Sequence, residues 1–190
     1  MHDYQQQKKE IFQKEKKKTT EIIFAGNLDK ASFIHLLGQL NGLKFFIYGQ
    51  TNNPPSAHNI IYRGKIDPRI LPTTMEGSFG LVWDGSSLET GKEAGAYLRY
   101  NIPHKMALYI TAGLPLIVWD ESAMAEWVLE KHIGITVSSL QEISGQLSKL
   151  SETDYQSFLK NMIPIRQNMA EGYYLKRAII KAEELLAENK

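Results

Sequence analysis

The sequence predicts a doubly wound α/β domain, a three-layer Rossmann-like parallel sheet with helices gathered at its C-terminal end. From Glu21 onward, short and fully apolar runs alternate with segments of helical period, and most of these runs end in Gly, Asn or Asp. Strands that are apolar on both faces need cover on both faces, and parallel neighbours need crossover connections. The 190 residues, 43% apolar and 23% charged, suffice to bury the core of one ordinary domain and are too few for two full-sized ones. That composition also excludes a disordered chain.

Each element follows from its own residues. Glu21-Ile22-Ile23-Phe24-Ala25 reads as a buried strand that leaves at Gly26-Asn27. Ala31 to Leu40 reads as a helix with Phe33, Ile34, Leu36, Leu37 and Leu40 inward and Asp29 or Ser32 near its cap. Leu43 to Tyr48 is a second strand closed by Gly49, and after an Asn-Asn-Pro-Pro loop Ile60 to Gly64 is a third. Asp67-Pro68 begins a short helix to Leu71, the proline suiting a first turn. Gly80 to Trp83 is a strand ending at Asp84-Gly85. Pro103 to Ala112 is a helix stopped by Gly113, and Leu114 to Trp119 is a strand. Helix, strand and helix follow in Ser122–Lys131, Ile133–Val137 and Leu140–Leu150, and the tail from Glu152 is helical. In its last segment Leu175, Ile179, Ala182 and Leu186 form an amphipathic stripe that must rest on something.

Charge divides the chain unevenly. Residues 1–20 carry six Lys against Asp3, Glu10 and Glu15, so this head is expected to be a Lys-rich linker or helical segment, and residues 21–190 the folded domain. A basic head suits nucleic acid or anionic lipid through phosphate neutralisation, and equally a solvated segment. The body is slightly acidic and its Trp and Tyr are scattered, so a nucleic-acid partner is not expected. No apolar run reaches the roughly 18 residues of a membrane span, and the polar start is unlike a secretion signal. The expectation is a cytoplasmic protein, with a membrane-peripheral placement left open. The chain has no Cys, which removes disulfides, thiolate ligands and a cysteine nucleophile.

In a doubly wound sheet a ligand sits beyond the carboxyl ends of the strands, near the switch in strand order. That directs attention to the exits at Gly26-Asn27, Tyr48-Gly49, Gly64, Asp84-Gly85 and Asp120. The dinucleotide fingerprint G-x-G-x-x-G is missing after the first strand, as are the P-loop pattern and the G-x-S-x-G elbow. No two Asp are separated by one residue and no two His stand four apart, so no metal site and no cofactor are expected. The run Asn101-Ile102-Pro103-His104-Lys105 puts hydrogen-bonding and cationic side chains at the start of a helix, where free N–H groups attract phosphate. Asn101 either caps that helix or reaches the ligand, or the run is simply a polar helix start. Glu126 follows a later strand, where a carboxylate accepts ribose hydroxyls or merely suits the helix dipole.

Three stretches taken in order resemble a known family: Gly77-Ser78-Phe79-Gly80-Leu81-Val82-Trp83-Asp84-Gly85, Tyr97 to Lys105, and Ala112 to Trp119. They are similar to the C-terminal, donor-binding half of bacterial GT-B sugar transferases. Within these, the likeness is to the β-1,6-galactofuranosyltransferase-like group and to the glucosyltransferases of serine-rich streptococcal adhesins. The ending Glu171-Gly172-Tyr173-Tyr174 fits the same group. The resemblance implies a metal-independent hexosyltransferase, with glucose or galactofuranose passing from a UDP-sugar to a glycan or glycoprotein acceptor. It implies that residues 21–190 bind the donor and that the acceptor side belongs to a missing N-terminal domain or a partner chain. Gly26 and Asn27 then face the donor, Asn101, His104 and Lys105 lie at the diphosphate, and Asp84 is an acid of unassigned role. Leu108 stands where the wider family carries its ribose-binding glutamate, which turns attention to Glu126. The alternative is a stand-alone nucleotide-binding or assembly module without transfer activity, its last helix supporting a homo-oligomer.

Overall fold

The computed structural model of the chain describes residues 16–89 and 93–188. Residues 1–15, which carry the larger part of the Lys-rich head, lie outside the described residues. The six expected strands are present: β1 (Glu21–Ala25), β2 (Lys44–Tyr48), β3 (Ile60–Gly64), β4 (Phe79–Val82), β5 (Leu116–Trp119) and β6 (Gly134–Val137). They form one parallel sheet in the order β3-β2-β1-β4-β5-β6. The chain winds outward from β1 to β3, then returns across the sheet to start β4 on the other side of β1. The switch point is therefore the β1/β4 boundary.

Two apolar layers cover the sheet. On one face Ile22, Phe24, Phe45, Ile47, Leu81 and Trp83 pack beneath Phe33, Ile34, Leu37 and Ile143. On the other, Ile23, Phe46, Val82 and Val118 pack beneath Met106, Tyr109, Ile110 and Val128. The helices are α1 (Leu71–Thr74), α2 (His104–Ala112), α3 (Ala125–Glu130), α4 (Ile143–Lys149), α5 (Glu152–Ala170) and α6 (Tyr173–Glu188). Gly113 ends α2 in the left-handed conformation, at φ 67°.

The β1–β2 crossover departs from the expected α-helix. It is 3₁₀, in two pieces at Leu28–Lys30 and Ser32–Gln39, while burying the expected Phe33, Ile34 and Leu37. Eight residues of 3₁₀ helix rise about 16 Å, the length of a five-residue strand, whereas the same residues as α-helix would rise about 12 Å. The tighter coil spans the sheet with little chain. A second departure is α1, which begins at Leu71 rather than at Asp67. The side chain of Asp67 accepts the N–H of Arg69 and its carbonyl accepts those of Ile70 and Leu71, so residues 67–70 form a turn ahead of the helix.

Helix α5 closes the end of the sheet opposite the strand exits. Ser151 caps it reciprocally with Asp154, and its Tyr155 donates to the carbonyl of Ser78, one residue before β4. Asn161 donates to the carbonyl of His132, just before β6. The lead-in to β1 is tied to the same helix, since Glu152 accepts the N–H of Lys18 and Gln156 donates to the carbonyl of Lys16. Tyr155 and Phe158 belong to the first apolar layer and Met162 and Ile165 to the second, so α5 passes beneath the strands from one face to the other.

Candidate functional site

One side chain from α2 takes over where the backbone pairing of β1 and β4 ends. Pairing between these strands is recorded only at Ile22–Phe79 and Ile23–Gly80. Beyond it, Tyr109 of α2 lies against Gly80, where an added Cβ would stand 2.3 Å from the tyrosine Cγ. The Tyr109 hydroxyl accepts the N–H of Ala25 at 2.8 Å and so takes the place of a β4 carbonyl. The side chain is fully buried, and that burial pushes its hydroxyl well above the usual tyrosine range, so it remains protonated. Glycine at position 80 is what lets the ring in.

At the strand exits lies a cavity of about 750 Å3, bounded by the exits of β1 and β2, the β3–α1 loop and the first turns of α2. Gly49 lets the β1 and β2 exits approach closely: a Cβ there would fall 2.3 Å from the carbonyl oxygen of Gly26. Asn27 caps the first 3₁₀ piece by accepting the N–H of Asp29, and Thr51 donates to the Asp29 carboxylate at 2.8 Å across the rim. Tyr48 is buried under the floor, its hydroxyl accepting the N–H of Glu76. Burial is the main cause of its raised pKa.

The α2 wall carries the electrostatics. Pro103 occupies the cap position of α2, and no side chain caps the helix, which leaves its first N–H groups for a ligand or solvent. His104 is exposed on this wall. The Lys105 side chain is 12% exposed, and its Nζ donates to Asp84 Oδ1 at 2.5 Å and to the Trp83 carbonyl at 2.7 Å. The ammonium also stands 4.7 Å from the centre of the Phe24 ring. Burial lowers its pKa while Asp84 opposes the shift. Lys105 and Asp84 therefore neutralise each other at the wall, and a bound anion meets the helix terminus beside an ion pair.

Six of the sequence-predicted residues meet at this cavity: Gly26, Asn27, Tyr48, Gly49, His104 and Lys105. Asp84 acts one step behind, through Lys105. Gly64 ends β3 at φ 70° and accepts the N–H of Gly49 with its carbonyl, supporting the floor without lining it. Asn101 does not cap α2 and does not line the cavity, and Glu126 is exposed on α3 away from it. Leu108, noted above for standing in place of a glutamate, lines the wall one turn beyond Lys105. The site also contains residues that sequence reasoning did not single out: Ile66, Pro68 and Leu71 supply an apolar side. Lys65 follows the β3 exit directly, a signal open to the strand-exit rule. It is exposed, with no ion pair recorded among the described residues. Asp29 is the one carboxylate among the described lining residues.

Comparisons with known proteins bear on this geometry. A family described as glucosyltransferase 3-like, C-terminal domain, matches residues 22–182. The beta-1,6-galactofuranosyltransferase WbbI of Escherichia coli (strain K12) is 34% identical over 163 residues, 82% of this chain and 47% of that protein. Glucosyltransferase 3 of Streptococcus gordonii is 30% identical over 165 residues, 85% of this chain and 48% of that protein. The chain thus spans about half the length of the curated relatives it matches. Among solved structures, AviGT4, a glycosyltransferase involved in avilamycin A biosynthesis, superposes with a TM-score of 0.50 at 14% identity, over 83% of this chain and 51% of that one. That likeness is one of fold.

Proposed function

The chain belongs to the glucosyltransferase 3-like, C-terminal domain family, and on that premise we propose that it is the donor-binding half of a GT-B hexosyltransferase acting on a UDP-sugar. The observation that carries this reading is the cavity of about 750 Å3 at the strand exits with an uncapped helix N-terminus in its wall. Its volume falls within the roughly 300–1,000 Å3 typical of small-molecule sites. One side is apolar, through Ile66, Pro68, Leu71 and Leu108, and suits a pyrimidine ring. The α2 side suits a diphosphate, with His104 as a hydrogen-bond donor and Lys105 as the nearest fixed cation. Asp29, steadied by Thr51, is the carboxylate within the cavity for ribose hydroxyls.

The chemistry asks for these features. Cleaving the anomeric C–O bond leaves negative charge on the diphosphate while the sugar gains oxocarbenium character, so donors already aimed at the departing phosphate lower the barrier. Here the α2 terminus supplies that field from the protein itself, with Lys105 beside it as a donor held in its ion pair with Asp84, and the proposed transfer is metal-independent. The acceptor, a glycan or glycoprotein, would be held by a second domain or a partner chain, as the half-length match to the relatives suggests.

A thermal-shift panel of UDP, UDP-glucose, UDP-galactofuranose and GDP tests the reading. At a hundredfold excess over the dissociation constant a ligand stabilises by about 2.7 kcal/mol. For a domain of this size that raises the melting temperature by about 5–11 °C. UDP and one UDP-hexose are expected to shift the melt and GDP to fall behind. No shift with any nucleotide would reject the reading. Binding without transfer, once a second domain is supplied, would favour a nucleotide-binding or assembly module.

A further inference from the structure

A second hollow lies in the helical layer over the first apolar face, between the end of the Ser32–Gln39 coil and the start of α4. Its volume is about 260 Å3, and it shares no lining residue with the cavity at the strand exits. Leu40, Leu43 and Leu88 line it, each buried and part of the first apolar layer. Its polar lining is Gln39, Asn41, Gln141 and Ser144, three primary amides and a hydroxyl. None of these four side chains has a hydrogen bond recorded among the described residues. No carboxylate and no cation stands among the described lining residues.

The segments that form the hollow are fixed by contacts of their own. Asn59, only 8% exposed, donates through its amide nitrogen to the carbonyls of Leu37 and Leu40 and so secures the end of the 3₁₀ coil. Gly42 turns the chain at φ 76°, and a Cβ there would stand 3.4 Å from Ser144 Oγ, so this turn rests on α4. Leu140 donates its N–H to the carbonyl of Leu88. Ser139 caps the 3₁₀ turn Leu140–Glu142 by accepting the N–H of Gln141. The backbone around the hollow is therefore set in advance, and a ligand has only the rim side chains to order.

The lining selects a small neutral polyol. Each amide both donates and accepts, as does the serine hydroxyl, and sugar hydroxyls have the same double capacity. The C–H face of a pyranose ring is apolar and matches the three leucines. A phosphate or carboxylate would meet no cation here, and an aromatic ring would use none of the four polar groups. The volume falls just below the roughly 300–1,000 Å3 of sites for drug-sized ligands, which leaves room for one ring. We propose that this hollow binds one neutral pyranose, its C–H face on Leu40, Leu43 and Leu88 and its hydroxyls on the amides of Gln39, Asn41 and Gln141. The ring belongs to a free hexose or to one residue of a glycan chain, and the two sources share this chemistry.

Saturation-transfer NMR of the full 190-residue chain with methyl β-glucopyranoside and methyl β-galactopyranoside tests it. At least one is expected to bind saturably, with a dissociation constant on the order of 1–10 mM, the weak range of so small a ligand. The double variant Gln39→Ala with Gln141→Ala, both at exposed positions, should weaken binding at least fivefold, with circular dichroism and the melt confirming the fold. Saturating UDP should leave the sugar signal unchanged. A trisaccharide of the same sugar that binds more tightly identifies a glycan residue as the occupant, and equal or weaker binding identifies a free hexose. Absence of saturable binding by either glycoside overturns the proposal, as does unchanged binding in the double variant. So does an equal response to cyclohexanol, which offers a ring with a single hydroxyl, or loss of the signal with UDP, which would put the sugar at the strand exits.

Discussion

Replacing Tyr109 by Phe separates the wedge from its hydrogen bond. The ring remains against Gly80, but the N–H of Ala25, a residue only 3% exposed, loses its one recorded acceptor. The backbone pairing of β1 with β4 ends at Ile23 and Gly80, so no β4 carbonyl is paired with Ala25. A buried donor left unsatisfied costs about 1–3 kcal/mol. In a domain of 150–250 residues each kcal/mol moves the melting temperature by about 2–4 °C, so Tyr109→Phe is expected to melt about 2–12 °C lower. Urea unfolding followed by tryptophan fluorescence should show a lower midpoint with an unchanged slope. The Tyr109 hydroxyl does not ionise in the range where exposed tyrosines do, so the difference should persist at mildly alkaline pH. A loss below about 0.5 kcal/mol would refute the argument, for it would mean that the Ala25 N–H is satisfied elsewhere.

Lys105→Ala should weaken UDP binding by about 1.5–3 kcal/mol, a tenfold to hundredfold loss by calorimetry, because a charged donor disappears and Asp84 is left facing the phosphate. Burial lowers the Lys105 pKa, so UDP affinity should fall as pH rises through that lowered value. Folding stability should rise from there toward the ordinary lysine value, where the unfolded chain binds the extra proton. Asp84→Asn removes the group that opposes the shift and should move both changes to lower pH; identical profiles would break the assignment. Ser151→Ala should cost about 0.5–2 kcal/mol by removing the α5 cap. Hydrogen bonds from Ser151 hold the Asp154 carboxyl below its usual value, so the capping contribution is present above the ordinary carboxylate range. It fades as pH falls through the lowered value, and the variant should lose less in acid than the parent.

What sequence reasoning could see follows from where each signal lies. The strands were legible because both faces of β1, β2, β4 and β5 are buried, which demands unbroken apolar runs. The 3₁₀ crossover was not, because α and 3₁₀ coils bury the same Phe33, Ile34 and Leu37, and only the span to be covered distinguishes them. The α2 terminus was legible from Pro103, His104 and Gly113, which punctuate the helix locally. The partner of Lys105 was not, since Asp84 lies 21 residues away and becomes a neighbour only when β4 and α2 pack. Tyr109 escaped notice for the same reason, its acceptor role depending on a residue 84 positions distant. Glu126 is the converse case, a carboxylate after a strand end that is exposed on α3 and is not among the residues lining the cavity.

The central claim is that a nucleoside diphosphate lies in the cavity with its phosphates on the first turn of α2. A crystal structure of the chain with UDP tests it most directly. The account predicts diphosphate oxygens within hydrogen-bond distance of the His104 and Lys105 backbone N–H groups and the uracil against the apolar side formed by Ile66 and Leu71. UDP bound elsewhere, or bound here with its phosphates away from α2, would contradict it.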